Sequence, residues 1–103
     1  MADMAAPQHK RAFLKHVMVS VSGPASYAAG GFDVEIGELT EVYNAIAIIS
    51  GGYLAEVAGI TGNKVKVKVY YFDYDATADG PAIEVPDGTD LSGQTVRMWA
   101  EGV

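Results

Sequence analysis

One stretch constrains this chain more than any other: residues 64–72, KVKVKVYYF. Val65, Val67, Val69 and Tyr71 occupy one set of alternate positions, and Lys64, Lys66, Lys68, Tyr70 and Phe72 the other. A period of two sends alternate side chains to opposite faces of a strand, whereas a period of 3.6 would scatter the valines around a helix. The spacing predicts a half-buried antiparallel strand, its valines turned to the core and its lysines and rings outward. Such a strand needs partners along both edges and a second layer over its apolar face.

The rest of the chain offers both. Residues 13–22 alternate with Phe13, Lys15, Val17, Val19 and Val21 on the core-facing side and Leu14, His16, Met18, Ser20 and Ser22 on the other. Gly23-Pro24 ends that strand, and residues 24–31 form a loop by composition. Phe32, Val34 and Ile36 point inward, with Asp33 and Glu35 outward, until Gly37 breaks the pattern. Residues 38–41 fit either a turn or a single helical turn. Residues 42–50, VYNAIAIIS, are apolar nearly throughout, and the β-branched enrichment favours a buried strand over a short helix. Gly51-Gly52 then predicts a hairpin onto residues 53–57, followed by a turn through 59–63, where Gly62-Asn63 supplies positive φ, into the lysine strand. After a polar segment, DYDATADGP, come a short strand at 82–85, a loop containing Pro86-Asp87-Gly88 and 90–93, and a last strand at 95–99. In that last strand Val96 and Met98 share one face, and Thr95, Arg97 and Trp99 the other.

About seven strands divided by Gly, Pro, Asp and Asn clusters predict an all-β fold, a single antiparallel β-sandwich or barrel-like domain. Residues 1–12 are read as an extended N-terminal arm and 13–103 as the domain, since the first residues are small and carry no periodicity. At 103 residues, half of them apolar, one modest core is expected. No apolar run approaches the roughly 20 residues of a membrane span, so no membrane partner is expected. Lys15 and His16 interrupt the stretch where a signal peptide would be continuously apolar. The absence of cysteine excludes disulfides and thiolate metal sites.

Chemistry is sparse. His9 and His16 are the only histidines, and no nucleophile motif accompanies them, so no catalytic set and no enzyme is predicted. Asp73, Asp75, Asp79 and Glu84 fall at the first, third, seventh and twelfth positions of a calcium-loop count. Ala78, however, stands where that loop needs glycine, and β-structure replaces the flanking helices. A solvated acidic loop is the expectation, with no metal and no cofactor. Lys64, Lys66 and Lys68 running into Tyr70 and Phe72 suggest a single-strand nucleic-acid platform. The net charge of −6 opposes that reading. The favoured alternatives are a solvated face that blunts an edge, or a comb meeting acids such as Asp33 and Glu35 on a facing strand or another subunit. Outward Tyr70, Phe72, Tyr74 and Trp99 point to protein contacts, because exposed rings are what interfaces favour.

Several landmarks occur in a fixed order: Ser26-Tyr27-Ala28-Ala29-Gly30-Gly31, Gly52-Tyr53 with Glu56-Val57, and Asn63-Lys64-Val65-Lys66-Val67. Glu84-Val85-Pro86-Asp87-Gly88-Thr89-Asp90-Leu91-Ser92, Thr95-Val96-Arg97 and Ala100-Glu101-Gly102 complete it. Together, over roughly residues 17–103, they resemble a family of small tailed-phage head proteins, encoded near the major capsid gene, that decorate or cement the shell. The resemblance extends to the basic start KRAFLKHVMVSV, while Trp99 stands where an aliphatic residue is commoner in the family. It implies a capsid-exterior virion protein assembled in the host cytoplasm. Its partner would be the major capsid protein, and a homo-oligomer is expected, dimer or trimer. Expected contact residues are Lys10, Arg11, Phe13 and Lys15 of the arm and first strand, Lys66, Lys68, Tyr70 and Phe72 of the comb, and Trp99. A tail or baseplate component, and a carbohydrate-binding module using Trp99 and the tyrosines, are the alternative readings.

Overall fold

A computed structural model describes residues 14–72 and 82–103. It is all-β: β1 (Lys15–Ser22), β2 (Phe32–Glu35), β3 (Val42–Ile49), β4 (Leu54–Thr61), β5 (Lys64–Tyr71), β6 (Ile83–Glu84) and β7 (Thr95–Gly102). Two antiparallel sheets pack face to face. One has the order β1-β7-β3; the other has β2-β5-β4, with β6 also paired to β5. Each sheet is thus built on a central strand of clean alternation. In β5 the buried residues are Val65, Val67 and Val69; in β7 they are Val96, Met98 and Ala100. Each fully buried valine removes enough apolar surface from water to contribute about 1.5–3 kcal/mol.

β2 and β6 share one edge of β5. β2 pairs with Lys64–Val67 and β6 with Tyr70 and Tyr71, while β4 takes the opposite edge. The gap between them falls at Val69, and Tyr27 fills it from the preceding loop. Its ring is 1 % exposed and meets Phe32 edge-on, with centroids 6.3 Å apart. The Val69 N–H donates to the Tyr27 hydroxyl at 3.2 Å, so a backbone donor with no strand partner there is satisfied by a side chain. The Tyr27 hydroxyl in turn donates to Glu84 at 2.6 Å. The loop that precedes β7 closes the same end. Tyr27 exchanges backbone hydrogen bonds with Thr89 and Gly88, and Leu91 is fully buried although it lies outside any strand.

Three local readings change. The predicted hairpin between residues 42–50 and 53–57 does not exist: β3 pairs with β7, and β4 pairs with β5 in the other sheet. Gly51 and Gly52, both at φ +81°, carry the chain between layers. Ser50 stays tied to the β7 side, accepting from the Thr95 N–H at 2.9 Å and donating to the Gln94 side chain at 2.8 Å. A glycine pair between two apolar runs suits either connection, and the pairing partner decides. Second, the turn predicted at 59–63 shrinks to Gly62-Asn63, because β4 continues to Thr61 after a bulge between Val57 and Gly59. Gly62 alone takes positive φ, +61°, and Asn63 does not; a lone positive φ at the first of two loop residues matches a type II′ hairpin. Third, 42–50 is a strand but is not buried on both sides, since Ile46 and Ile48 are exposed. At the other end of the chain's second sheet, the short strand predicted at 82–85 is confined to β6.

Candidate functional site

With the valines and Met98 inside, each sheet turns a different surface outward. On β7, Arg97, Trp99 and Glu101 alternate with the buried positions. The register sets Met18 of β1 and Ile46 of β3 on either side of Trp99, making one apolar row straight across three strands. All three lie open: Met18 is 63 % exposed, Ile46 67 % and Trp99 43 %. On one side of the row lie Ser20, Arg97 and the exposed Ile48; on the other lie His16, Glu101 and Asn44. His16 Nδ1 is 3.5 Å from a Glu101 oxygen. A shallow depression of about 560 Å³ runs along the row, with His16, Asn44 and Glu101 among its polar lining.

The outer face of the β5 sheet carries the lysine comb, and the register sets an acid opposite each lysine. Asp33 lies opposite Lys66 with its carboxylate 3.8 Å from the ammonium, and Glu35 lies opposite Lys64. Glu56 lies opposite Lys68 and accepts a hydrogen bond from the Tyr70 hydroxyl at 2.9 Å. The Lys68 ammonium sits 5.7 Å from the centre of the Tyr70 ring, within cation–π reach. Tyr70 first, and then the negative charge of Glu84, hold Lys68 above its ordinary value. Glu84 is itself held below the ordinary glutamate range by the Tyr27 hydroxyl and the Gly30 N–H, the latter at 2.8 Å. Among the described residues, no group of three or more His, Asp or Glu gathers as metal ligands would. Asp73, Asp75 and Asp79 of the calcium-loop count lie outside those residues, and Glu84 is engaged by Tyr27 and Gly30.

The expected contact residues therefore divide between two surfaces. Lys66, Lys68 and Tyr70 share the outer face of one sheet, with Phe72, 44 % exposed, just past the end of β5. Trp99 lies on the outer face of the other sheet. Lys15 is exposed at the start of β1, while Lys10, Arg11, Phe13 and Tyr74 lie outside the described residues. Sequence reasoning missed Met18, Ile46 and Ile48. Met18 alternates with the polar His16 and Ser20, and the two isoleucines lie in a run too uniformly apolar to show which face is open. The available signal is the run's failure to alternate: in a two-layer sandwich the outer face of each strand lacks cover from a second layer, so a strand apolar on both faces leaves one set of its side chains open.

The two longest motifs of the resemblance meet in space. Tyr27 and Gly30 of the first bind Glu84 of the second, and the Ala29 N–H binds Asp87. Their residues thus form a structural clasp at the edge of β5. No protein-family model matches the chain, and neither a curated protein nor a solved structure matches it significantly.

Proposed function

We propose that this chain is a structural subunit of a phage particle, a decoration or cement protein on the exterior of the head. It would stabilise the shell by bridging capsomers of the major capsid protein. The observation that carries the reading is the Met18–Trp99–Ile46 row. Three large apolar side chains aligned across a sheet and left in water favour any state in which another protein covers them. The resemblance of the landmark motifs to small head proteins supports the choice of a phage shell. The mechanism is mechanical: a subunit that binds only the assembled shell stabilises that state by mass action, and symmetry repeats each modest contact many times. Lys10, Arg11, Phe13 and Lys15 near the N-terminus, and the Lys66–Phe72 face, are the surfaces proposed to meet the shell.

A gold-labelled antibody against the chain, applied to purified particles from its source, tests this directly. Label on heads is the expected result. Label on tails transfers the chain to the tail or baseplate, and unlabelled particles overturn the virion reading. The polar groups His16, Asn44 and Glu101 beside Trp99 favour one second reading, a sugar-stacking platform. A glycan array with wild-type and Trp99→Ala protein separates it, because only a carbohydrate module would lose a reproducible glycan signal.

A further inference from the structure

The outer face of the β1-β7-β3 sheet has an internal symmetry in its chemistry. Along β7, Trp99 is the midpoint, Arg97 stands two residues before it and Glu101 two residues after, all on the exposed face. Across the strands, Met18, Trp99 and Ile46 form a line perpendicular to that sequence. Among the described residues Arg97 makes no ion pair, while Glu101 has only the 3.5 Å approach of His16.

We propose that this face binds a second copy of the same chain, sheet against sheet, about a two-fold axis lying along the Met18–Trp99–Ile46 row. Rotation about that axis reverses one β7 over the other. Each residue of the row meets its own counterpart, and Arg97 of each copy faces Glu101 of the other, twice. The only other in-plane axis aligned with the sheet runs along β7. It would stack Arg97 on Arg97 and Glu101 on Glu101, so charge complementarity selects the crossing axis. The reach is adequate. Packed sheets lie about 10 Å apart with strands within about 30°, and Arg97 and Glu101 each sit about 7 Å along the strand from the axis. Both carry side chains long enough to close that gap.

Three strands of eight residues present roughly 400 Å² of flat sheet per copy. That places the pair among weak, concentration-dependent interfaces, with dissociation constants above about 1 µM. The inference deepens the proposed function by naming the occupant of its central surface, and leaves the Lys66–Phe72 face for the shell. It is measured without any particle.

The test is sedimentation equilibrium of the full chain over a wide concentration range, with emission of Trp99, the single tryptophan, followed in parallel. Expected are a monomer–dimer equilibrium and a blue shift of the emission as dimers form. Trp99→Lys should weaken dimerisation by at least about tenfold. Arg97→Glu or Glu101→Arg alone should weaken it as well, and the two together should restore it, because only the reversed stacking exchanges those positions. A wild-type chain that stays monomeric, forms trimers, or dimerises equally well with Trp99→Lys overturns the proposal. So does failure of the double charge swap to rescue in a protein whose melting temperature is unchanged. A monomer whose antibody still labels heads assigns the face to the shell instead and sinks only the dimer. A dimer whose antibody labels no particle sinks only the virion reading.

Discussion

The two outer faces of this sandwich handle the same problem in opposite ways. On the β5 sheet, each lysine of the comb stands opposite an acid or next to a ring: Lys64 by Glu35, Lys66 by Asp33, Lys68 by Glu56 and Tyr70. That face sets its charges against opposite ones or a ring, and its exposed apolar residues, Leu54 and Phe72, lie at the far end from the comb's first lysines. On the β7 sheet, Met18, Trp99, Ile46 and Ile48 are exposed, and Arg97 has no acid within its own chain among the described residues. An alternating strand therefore signals a satisfied surface only when its neighbours supply complementary groups. Where the neighbours are apolar too, the surface remains unfinished until something else covers it.

The largest effect separates folding from assembly on β7 itself. Met98→Ala removes a fully buried side chain and should cost about 2–5 kcal/mol in denaturant unfolding. Trp99→Ser, one residue away on the open face, should cost no more than about 1 kcal/mol, the loss of its cross-strand pairs with Met18 and Ile46. A Trp99→Ser loss as large as that of Met98→Ala would mean that the row belongs to the core, and the contrast between the faces would collapse.

Next comes the clasp behind the charged face. Tyr27→Phe strands the buried Val69 N–H and should cost about 1–3 kcal/mol. It should also change the pH profile of stability. Burial first, and then the bond to Glu84, push the Tyr27 phenol up to about 12. The folded state therefore holds that proton longer than the unfolded chain. The resulting stability is fully present below pH ~10, and declines as the pH rises towards the folded value. Glu84 works in the other direction: its lowered value contributes stability above the ordinary glutamate range, which is lost as the pH falls through the lowered value. Thermal melts of wild type should decline at both extremes. Those of Tyr27→Phe should lose the decline that Tyr27 contributes above pH 10, and show a shallower acid limb.

The charged face itself should be forgiving. Lys66→Glu sets a like charge beside Asp33 yet remains exposed, so a loss below about 1 kcal/mol, reduced further by salt, is expected. If the reversal also abolishes shell binding in a folded protein, the face is a contact surface. Binding that is left unchanged makes the comb scaffold only. The smallest change is Glu56→Gln, which keeps an acceptor for the Tyr70 hydroxyl and should alter the melting temperature by no more than a degree or so.

Much of the fold is legible from alternation alone. Residues 64–71 and 95–99 show which side chains enter the core, because a strand's period leaves no other option once one face is apolar. Gly62-Asn63 marks the tight hairpin that joins β4 to β5. Other connections were not legible, since Gly51-Gly52 is as compatible with a change of sheet as with a hairpin. Tyr27 and Leu91 lie in stretches that are loop by composition, and only the approach of the β5 edge and of the loop before β7 makes them core. Of the candidate surface, Trp99 was visible from the alternation of 95–99. Its neighbours Met18 and Ile46 became visible only with the cross-strand register.

Sequence by itself determined the strands, their inward residues and the all-β class, because these follow from local periodicity and the burial of apolar area. Tertiary structure decided which strands pair, that β3 is an edge, and that Met18, Trp99 and Ile46 form one line while acids stand opposite the lysines. Those properties depend on contacts between residues far apart in the chain, and on what a neighbouring strand leaves uncovered. No window of sequence contains that information.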